Sequence, residues 1–215
     1  MRFKPGPGGG YQFDANRAVR QLSDSDPTIG KLIGAVGPFR LELDEMLSPF
    51  EALAESIVYQ QLTGKAAATI FSRVKALYGG ERLPNPAMII DTSDELLRSA
   101  GLSRAKTIAL KDFASKQIQG VIPDLEELHT LTDDEIVEKL IAVRGIGRWT
   151  VEMLLIFRLG RPDVLPINDY GVRKGFAFTF RKRDLPTPSE LSKYGERWRP
   201  YRTVASWYLW RSLEL

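Results

Sequence analysis

The chain has 215 residues, 43% of them hydrophobic, with 30 Lys and Arg against 27 Asp and Glu and a formal net charge of +3 when its one His is neutral. That is enough apolar material for one large domain or two small interlocked ones; zero cysteines exclude disulfides, thiolate zinc sites, cysteine nucleophiles and iron–sulfur clusters, and a single histidine argues against a histidine-built metal centre. No apolar run approaches the roughly 20 residues of a membrane span and the N-terminus lacks the apolar block of a signal peptide, so the expectation is a soluble intracellular protein.

Residues 1–10, which include Pro5-Gly6-Pro7-Gly8-Gly9-Gly10, offer too little apolar surface to offset the entropy of ordering and read as a flexible tail. Asp26-Pro27 opens a first helix. Ser48-Pro49-Phe50-Glu51 combines an N-cap serine, a proline at the first helical position and a glutamate three residues after the cap, and Phe50, Leu53, Ala54, Ile57 and Val58 follow at helical spacing. An alanine-rich helix over 65–78 stops at Gly79-Gly80, and Ser103 caps another that runs to about 119 and stops at Gly120. Thr132-Asp133-Asp134-Glu135 is a capping-box pattern whose helix turns Ile136, Leu140 and Ile141 inward and ends before Gly145. Helical pattern resumes over 148–159 as far as Gly160; helices at 169–178, after Thr187-Pro188-Ser189-Glu190, and at 201–211 complete the set. Strand signals nearly vanish and no long repeat is present, so the fold class is all-α. Acidic residues gather at about 124–138, where His129 reads as a surface residue, and basic ones over 170–210; the latter form either a positive face or a set of solvated helix surfaces.

Two segments stand out chemically. In Val143-Arg144-Gly145-Ile146-Gly147-Arg148-Trp149-Thr150, the glycines permit positive φ in a tight turn and let backbone N–H groups approach a ligand, and the helix starting near Arg148 aims its positive end at the same spot. Ile146 would plug inward, with Arg148 and Thr150 adding a charge and a hydroxyl at the rim; an anion such as a phosphate suits this turn, although many helix connections use glycine for geometry alone. In Leu165-Pro166-Ile167-Asn168-Asp169-Tyr170, Asp169 is either the N-cap of the next helix or a lone functional carboxylate.

These two segments, with Ile57-Val58-Tyr59-Gln60-Gln61-Leu62 upstream and Trp198-Arg199-Pro200-Tyr201-Arg202-Thr203-Val204-Ala205-Ser206-Trp207-Tyr208-Leu209-Trp210 downstream, resemble in order the helix–hairpin–helix superfamily of base-excision DNA glycosylases. The similarity is to its alkylation-repair branch, the 3-methyladenine DNA glycosylase II type, in a compact form without the N-terminal β-rich domain of larger members, and it spans about residues 11–215. The resemblance implies that Asp169 is catalytic. A base alkylated on a ring nitrogen is cationic and leaves readily, so one carboxylate suffices to stabilise the positive sugar and orient water toward C1′. It further implies a base pocket of Trp149, Trp210 and Tyr170, with Met153 where the family often has an aromatic. Gln61, with Leu62 beside it, would wedge into the duplex, while Arg144, Gly145, Gly147, Arg148, Thr150 and Lys65 contact phosphates. Bifunctional members carry a lysine where this chain has Trp149, which implies base release without strand cutting. No cofactor is implied beyond a monovalent cation on the hairpin carbonyls.

The expected architecture is two helical subdomains with DNA in the cleft between them. Residues 11–49 pack with a C-terminal subdomain at 166–215, and 50–165 carry the helix–hairpin–helix at about 133–159. The expected function is monofunctional excision of 3-methyladenine- and 7-methylguanine-class bases from double-stranded DNA by a monomer, cytoplasmic and nucleoid-associated in a prokaryote or nuclear in a eukaryote. Two alternatives remain open: a glycosylase of the same fold for mismatched, oxidised or deaminated bases, and a helix–hairpin–helix module that binds DNA without chemistry.

Overall fold

The computed structural model describes residues 10–44, 46, 48–80 and 82–215. All regular structure among them is helical: α1 (Ala15–Ser25), α2 (Pro27–Val36), α3 (Pro49–Tyr59), α4 (Gly64–Ala76), α5 (Pro86–Asp91), α6 (Asp94–Ser99), α7 (Arg104–Ile118), α8 (Leu125–Thr130), α9 (Asp133–Ile141), α10 (Arg148–Phe157), α11 (Tyr170–Thr179), α12 (Pro188–Gly195) and α13 (Arg202–Arg211). Single 3-10 turns follow at Glu196–Trp198 and Ser212–Glu214. The fold is all-α. No helix among the described residues is long and apolar enough to cross a membrane. The tail expected at 1–10 lies outside the described residues apart from Gly10.

Helix starts follow cap chemistry. Ser48 accepts from Glu51 N, Thr63 from Ala66 N and Ser103 from Lys106 N, while Thr132 with Glu135 and Thr187 with Glu190 close full capping boxes. Asn85, Ser93 and Asp124 cap α5, α6 and α8 in the same way, but six residues make less than two turns. Too few positions are present for a helical period to show in the sequence, which is why these elements were not expected.

The chain forms two compact units. A central one spans 46–151, and a terminal one joins the residues before 46 to those from 152 onward. In the central unit α3 packs on α4 and α7, and α5 and α6 pack on α7. Leu53, Ile57, Leu110 and Phe113 are buried there, with Phe50 and Phe113 stacked at 4.9 Å between centroids. In the terminal unit α1 and α2 pack together and against α13, which pairs with α11. Gly175 makes the last pairing possible, since a Cβ there would lie 1.9 Å from the carbonyl oxygen of Leu209. Asp26 is buried yet satisfied: it caps α2 through Thr28 N and Ile29 N and accepts from Trp198 Nε1 at 3.0 Å.

The expected boundary at 165 is corrected by these units, because residues 152–165 belong to the terminal one. Their polar groups find partners there. Gln12 Nε2 donates to Leu159 O at 3.0 Å, Val164 N donates to Thr203 Oγ1 at 3.0 Å, and Arg202 Nε donates to Asp163 Oδ1 at 2.7 Å. The segment leading into α11 is thereby stapled to the first turn of α13.

Candidate functional site

In the central unit the turn between α9 and α10 is folded around two buried side chains. Val143 and Ile146 are 1% and 4% exposed, and Ile146 N donates to Val143 O at 3.1 Å. Arg144, Gly145, Gly147, Arg148 and Trp149 remain exposed around this plug, Trp149 at 48%. The glycines differ in what requires them. Gly145 has φ +85°, and a Cβ there would stand 3.0 Å from Ala109 Cβ. Gly147 does not have a positive φ, and a Cβ on it would meet nothing within 4 Å, so the expectation that both glycines serve a left-handed turn is corrected for Gly147. Thr150, expected at the rim, is only 6% exposed, so most of its side chain is packed inside.

Two residues brace this turn that sequence reasoning did not single out. Asp112 on α7 accepts from Arg144 N at 2.9 Å and from Lys116 Nζ at 2.7 Å. Burial raises the Asp112 carboxyl, but the hydrogen bonds from Lys116 and Arg144 outweigh it and hold the group below the usual aspartate range. Gln60, the C-cap of α3, donates from Nε2 to Gly145 O at 2.7 Å. Gln61 follows with φ +56° and is exposed, as are Leu62 and Lys65. Lys106 Nζ donates to Val58 O and Gln60 O, each at 2.7 Å.

In the terminal unit Asp169 takes the first of the two roles the sequence left open. It is the N-cap of α11, where Oδ1 accepts from Val172 N at 2.8 Å, and the same oxygen accepts from Trp210 Nε1 at 2.8 Å. The carboxylate therefore sits at the positive end of a helix, oriented by two donors. Trp210 is itself fixed by Phe157, whose ring lies 5.7 Å away and nearly parallel. Gly171 completes the arrangement, because a Cβ there would stand 2.8 Å from Trp210 Cδ1 and 3.1 Å from Asp169 Oδ1. Phe157 and Gly171 had no signal of their own in the sequence; the spacing Asp169-x-Gly171 alone does not announce an indole packed across the backbone.

The remaining pocket candidates, and the aromatic residues of α13 near Trp210 in sequence, fall as follows. Tyr170 is 63% exposed with Lys174 Nζ 6.0 Å from its ring centroid, and Met153 is half-buried on α10. Trp207 is a core residue, edge-on to Phe39 at 5.0 Å and to Tyr208 at 4.9 Å. Tyr208 is fully buried and donates to Gly37 O, and burial pushes its phenol up to about 12. The structure thus brings together Asp169 and Trp210 in one unit, and the hairpin residues with Gln60, Gln61 and Leu62 in the other.

The family model described as HhH-GPD superfamily base excision DNA repair protein matches residues 54–200. A relative from Schizosaccharomyces pombe, DNA-3-methyladenine glycosylase 1, is 40% identical over 200 residues, which cover 93% of this chain and 88% of the relative. Among solved structures, the S. pombe 3-methyladenine DNA glycosylase Mag1 in complex with abasic DNA superposes with a TM-score of 0.81, covering 93% of this chain and 97% of that one at 40% identity. A DNA-3-methyladenine glycosidase from Bacillus halodurans superposes with a TM-score of 0.80 at 36% identity, covering 90% of this chain and 87% of that one.

Proposed function

The chain belongs to the HhH-GPD superfamily of base excision DNA repair proteins, and from that premise we propose that it is a monofunctional DNA glycosylase of the 3-methyladenine type. It hydrolyses the N-glycosidic bond of alkylated bases in duplex DNA and leaves an abasic site. The observation that carries this reading is the Asp169 carboxylate, held by Val172 N and Trp210 Nε1 at the start of α11. As the bond to a cationic base breaks, positive charge grows on the sugar. An oriented anion stabilises that charge and directs a water to C1′, with no need for strong acid assistance to the leaving base.

The other residues take supporting roles in the same reading. Trp149 stands at the position of the bifunctional members' lysine, so no amine attacks the sugar and the strand stays intact. Trp210, Tyr170 and Met153 in the terminal unit, and Trp149 in the central one, are the residues that receive the base, whose cationic ring aromatic faces attract by about 0.5–2 kcal/mol each. Gln61, with Leu62, fills the gap left by the extruded base, while Arg144, Gly145, Gly147, Arg148 and Lys65 grip the strand. Thr150 serves the grip through its backbone, since its side chain is buried. A monovalent cation on the hairpin carbonyls would have to share Val143 O, Gly145 O and Gly147 O with the donors Ile146 N, Gln60 Nε2 and Val151 N. The protein works as a monomer wherever genomic DNA lies.

The test compares the wild type with Asp169→Asn on N-methylated duplex DNA, scoring released bases and alkali-labile sites. The variant should lose about 100- to 1,000-fold in single-turnover rate. Wild-type release no faster than the variant's sinks the enzyme reading, and strand cleavage without alkali sinks the monofunctional one.

A further inference from the structure

The C-terminus of α3 leaves last-turn carbonyls beyond the reach of helical donors. Lys106, on the first turn of α7, fills that need with one ammonium that donates to Val58 O and Gln60 O at 2.7 Å each. This lysine is half-buried, and burial holds it below the ordinary lysine range. The Gln60 side chain turns the other way and donates to Gly145 O on the hairpin at 2.7 Å. Immediately after these ties Gln61 takes φ +56°, a left-handed conformation that a residue with a Cβ keeps only when its surroundings enforce it. Leu62 N then closes back onto Tyr59 O at 3.3 Å, and Thr63 starts α4. Gln61 and Leu62 are exposed in a loop tied down on its α3 side and followed by the Thr63 cap of α4.

We propose that Lys106 and Gln60 are positioning residues that fix the 60–62 loop to the hairpin, so that the grip on the strand and the wedge in the duplex act as one rigid body. The proposal rests on the glycosylase reading and deepens it by assigning what sets the wedge's geometry. Neither residue touches DNA chemistry. Lys106 locks the carbonyls that precede the left-handed residue, and Gln60 transmits the hairpin's register to it. Base extrusion then costs no separate ordering of the wedge loop once the hairpin is seated.

The experiment uses the full chain as wild type, Lys106→Met, Gln60→Ala, Gln61→Ala and the pair Lys106→Met with Gln61→Ala. Lys106→Met keeps the length of the stem and removes the donors. Three quantities are read: affinity for undamaged duplex, extrusion followed by 2-aminopurine fluorescence beside the alkylated base in an Asp169→Asn background, and single-turnover base release. Release is measured with the lesion paired and with it opposite an abasic site, where extrusion is cheap. The expected result for Lys106→Met and Gln60→Ala is undamaged-duplex affinity within about threefold of wild type and about a tenfold loss of extrusion and of paired-lesion release. Opposite an abasic site that loss should shrink to within about threefold, and adding Gln61→Ala to Lys106→Met should cost nothing more. Wild-type extrusion by Lys106→Met, an equal loss on both substrates, or multiplying effects of the two substitutions would each overturn the proposal. Gln60→Ala leaves the α3 carbonyls capped and carries the test alone if Lys106→Met does not fold. A wild type that releases no base defeats the glycosylase reading, whereas the fluorescence arm, run without catalysis, still decides the positioning role.

Discussion

Helices α10 and α11 begin in opposite ways, and the contrast separates two uses of the same physics. The residue before α11 is Asp169, which fills the positive helix end with the chain's own carboxylate and orients it with Trp210. Before α10 stands Gly147, which brings no side-chain acceptor to that end at all. Nearby glycines obey the same division. A Cβ at Gly171 would collide with Trp210 and Asp169, while one at Gly147 would meet nothing within 4 Å. Gly171 is demanded by the interior, and Gly147 has no interior reason to be glycine. An anion is thus built into the start of α11, whereas the residue before α10 brings no acceptor of its own.

The sharpest way to break this contrast lies on the α11 side, one step below removal of Asp169 itself. Trp210→Phe keeps a ring against Phe157 and loses only the N–H that reaches Asp169 Oδ1. A hydrogen bond to a charged group is worth about 1.5–3 kcal/mol, so single-turnover base release should fall about 10- to 100-fold with lesion binding retained. If Trp210 is only a stacking wall, the phenylalanine variant will instead release base at near wild-type rate. Gly171→Ala should produce the same loss from the other side, by displacing the indole.

On the α10 side the two glycines should part company. Gly145→Val forces a β-branched residue into φ +85° and against Ala109, which should cost about 1–3 kcal/mol of stability, read by denaturant titration, and weaken damaged and undamaged duplex alike. Gly147→Ala should leave stability within about 0.5 kcal/mol of wild type. It should still weaken DNA affinity by about three- to tenfold, the equivalent of one lost hydrogen bond. Equal stability losses at both positions would erase the distinction between a glycine for the turn and a glycine for the ligand.

What could be read in advance follows the range of the interactions. Caps and periods are local, so α3, α7, α9 and α13 were legible from Ser48, Ser103, Thr132 and the apolar spacing, as was the all-α class. Asp169 was legible as a cap, and the catalytic role proposed for it came from the motif around it. The support of the site was not legible, because it is made of contacts between residues far apart in sequence. Trp210 reaches Asp169 across 41 positions, Gln60 reaches Gly145 across 85, and Asp112 reaches Arg144 across 32. The near-burial of Thr150 was not legible for a related reason, since it depends on how α10 packs. The subdomain boundary moved because Asp163 and Val164 pair with α13, which no local pattern announces.

The smallest expected effect concerns the hairpin's own carboxylate. Asp112 gives the turn an internal anion, but it binds Arg144 N and Lys116 and not the start of α10, so it should steady the hairpin without competing for a phosphate. Its folded-state carboxyl is held below the ordinary aspartate value, so the charged form is favoured by folding. The stabilisation is then fully present above the unfolded pKa of about 3.9 and is lost as pH falls through the lower folded value. Asp112→Asn should therefore lower the Tm slightly at pH 7, and the gap to wild type should close as both are melted at successively lower pH below about 4. Duplex affinity at pH 7 should change by less than about fivefold, since a half-buried pair near the surface contributes about 1 kcal/mol or less. A Tm gap that stays constant down to pH 3, or a gain in duplex affinity when the carboxylate is removed, would place Asp112 in competition with the incoming anion and not in support of the turn that receives it.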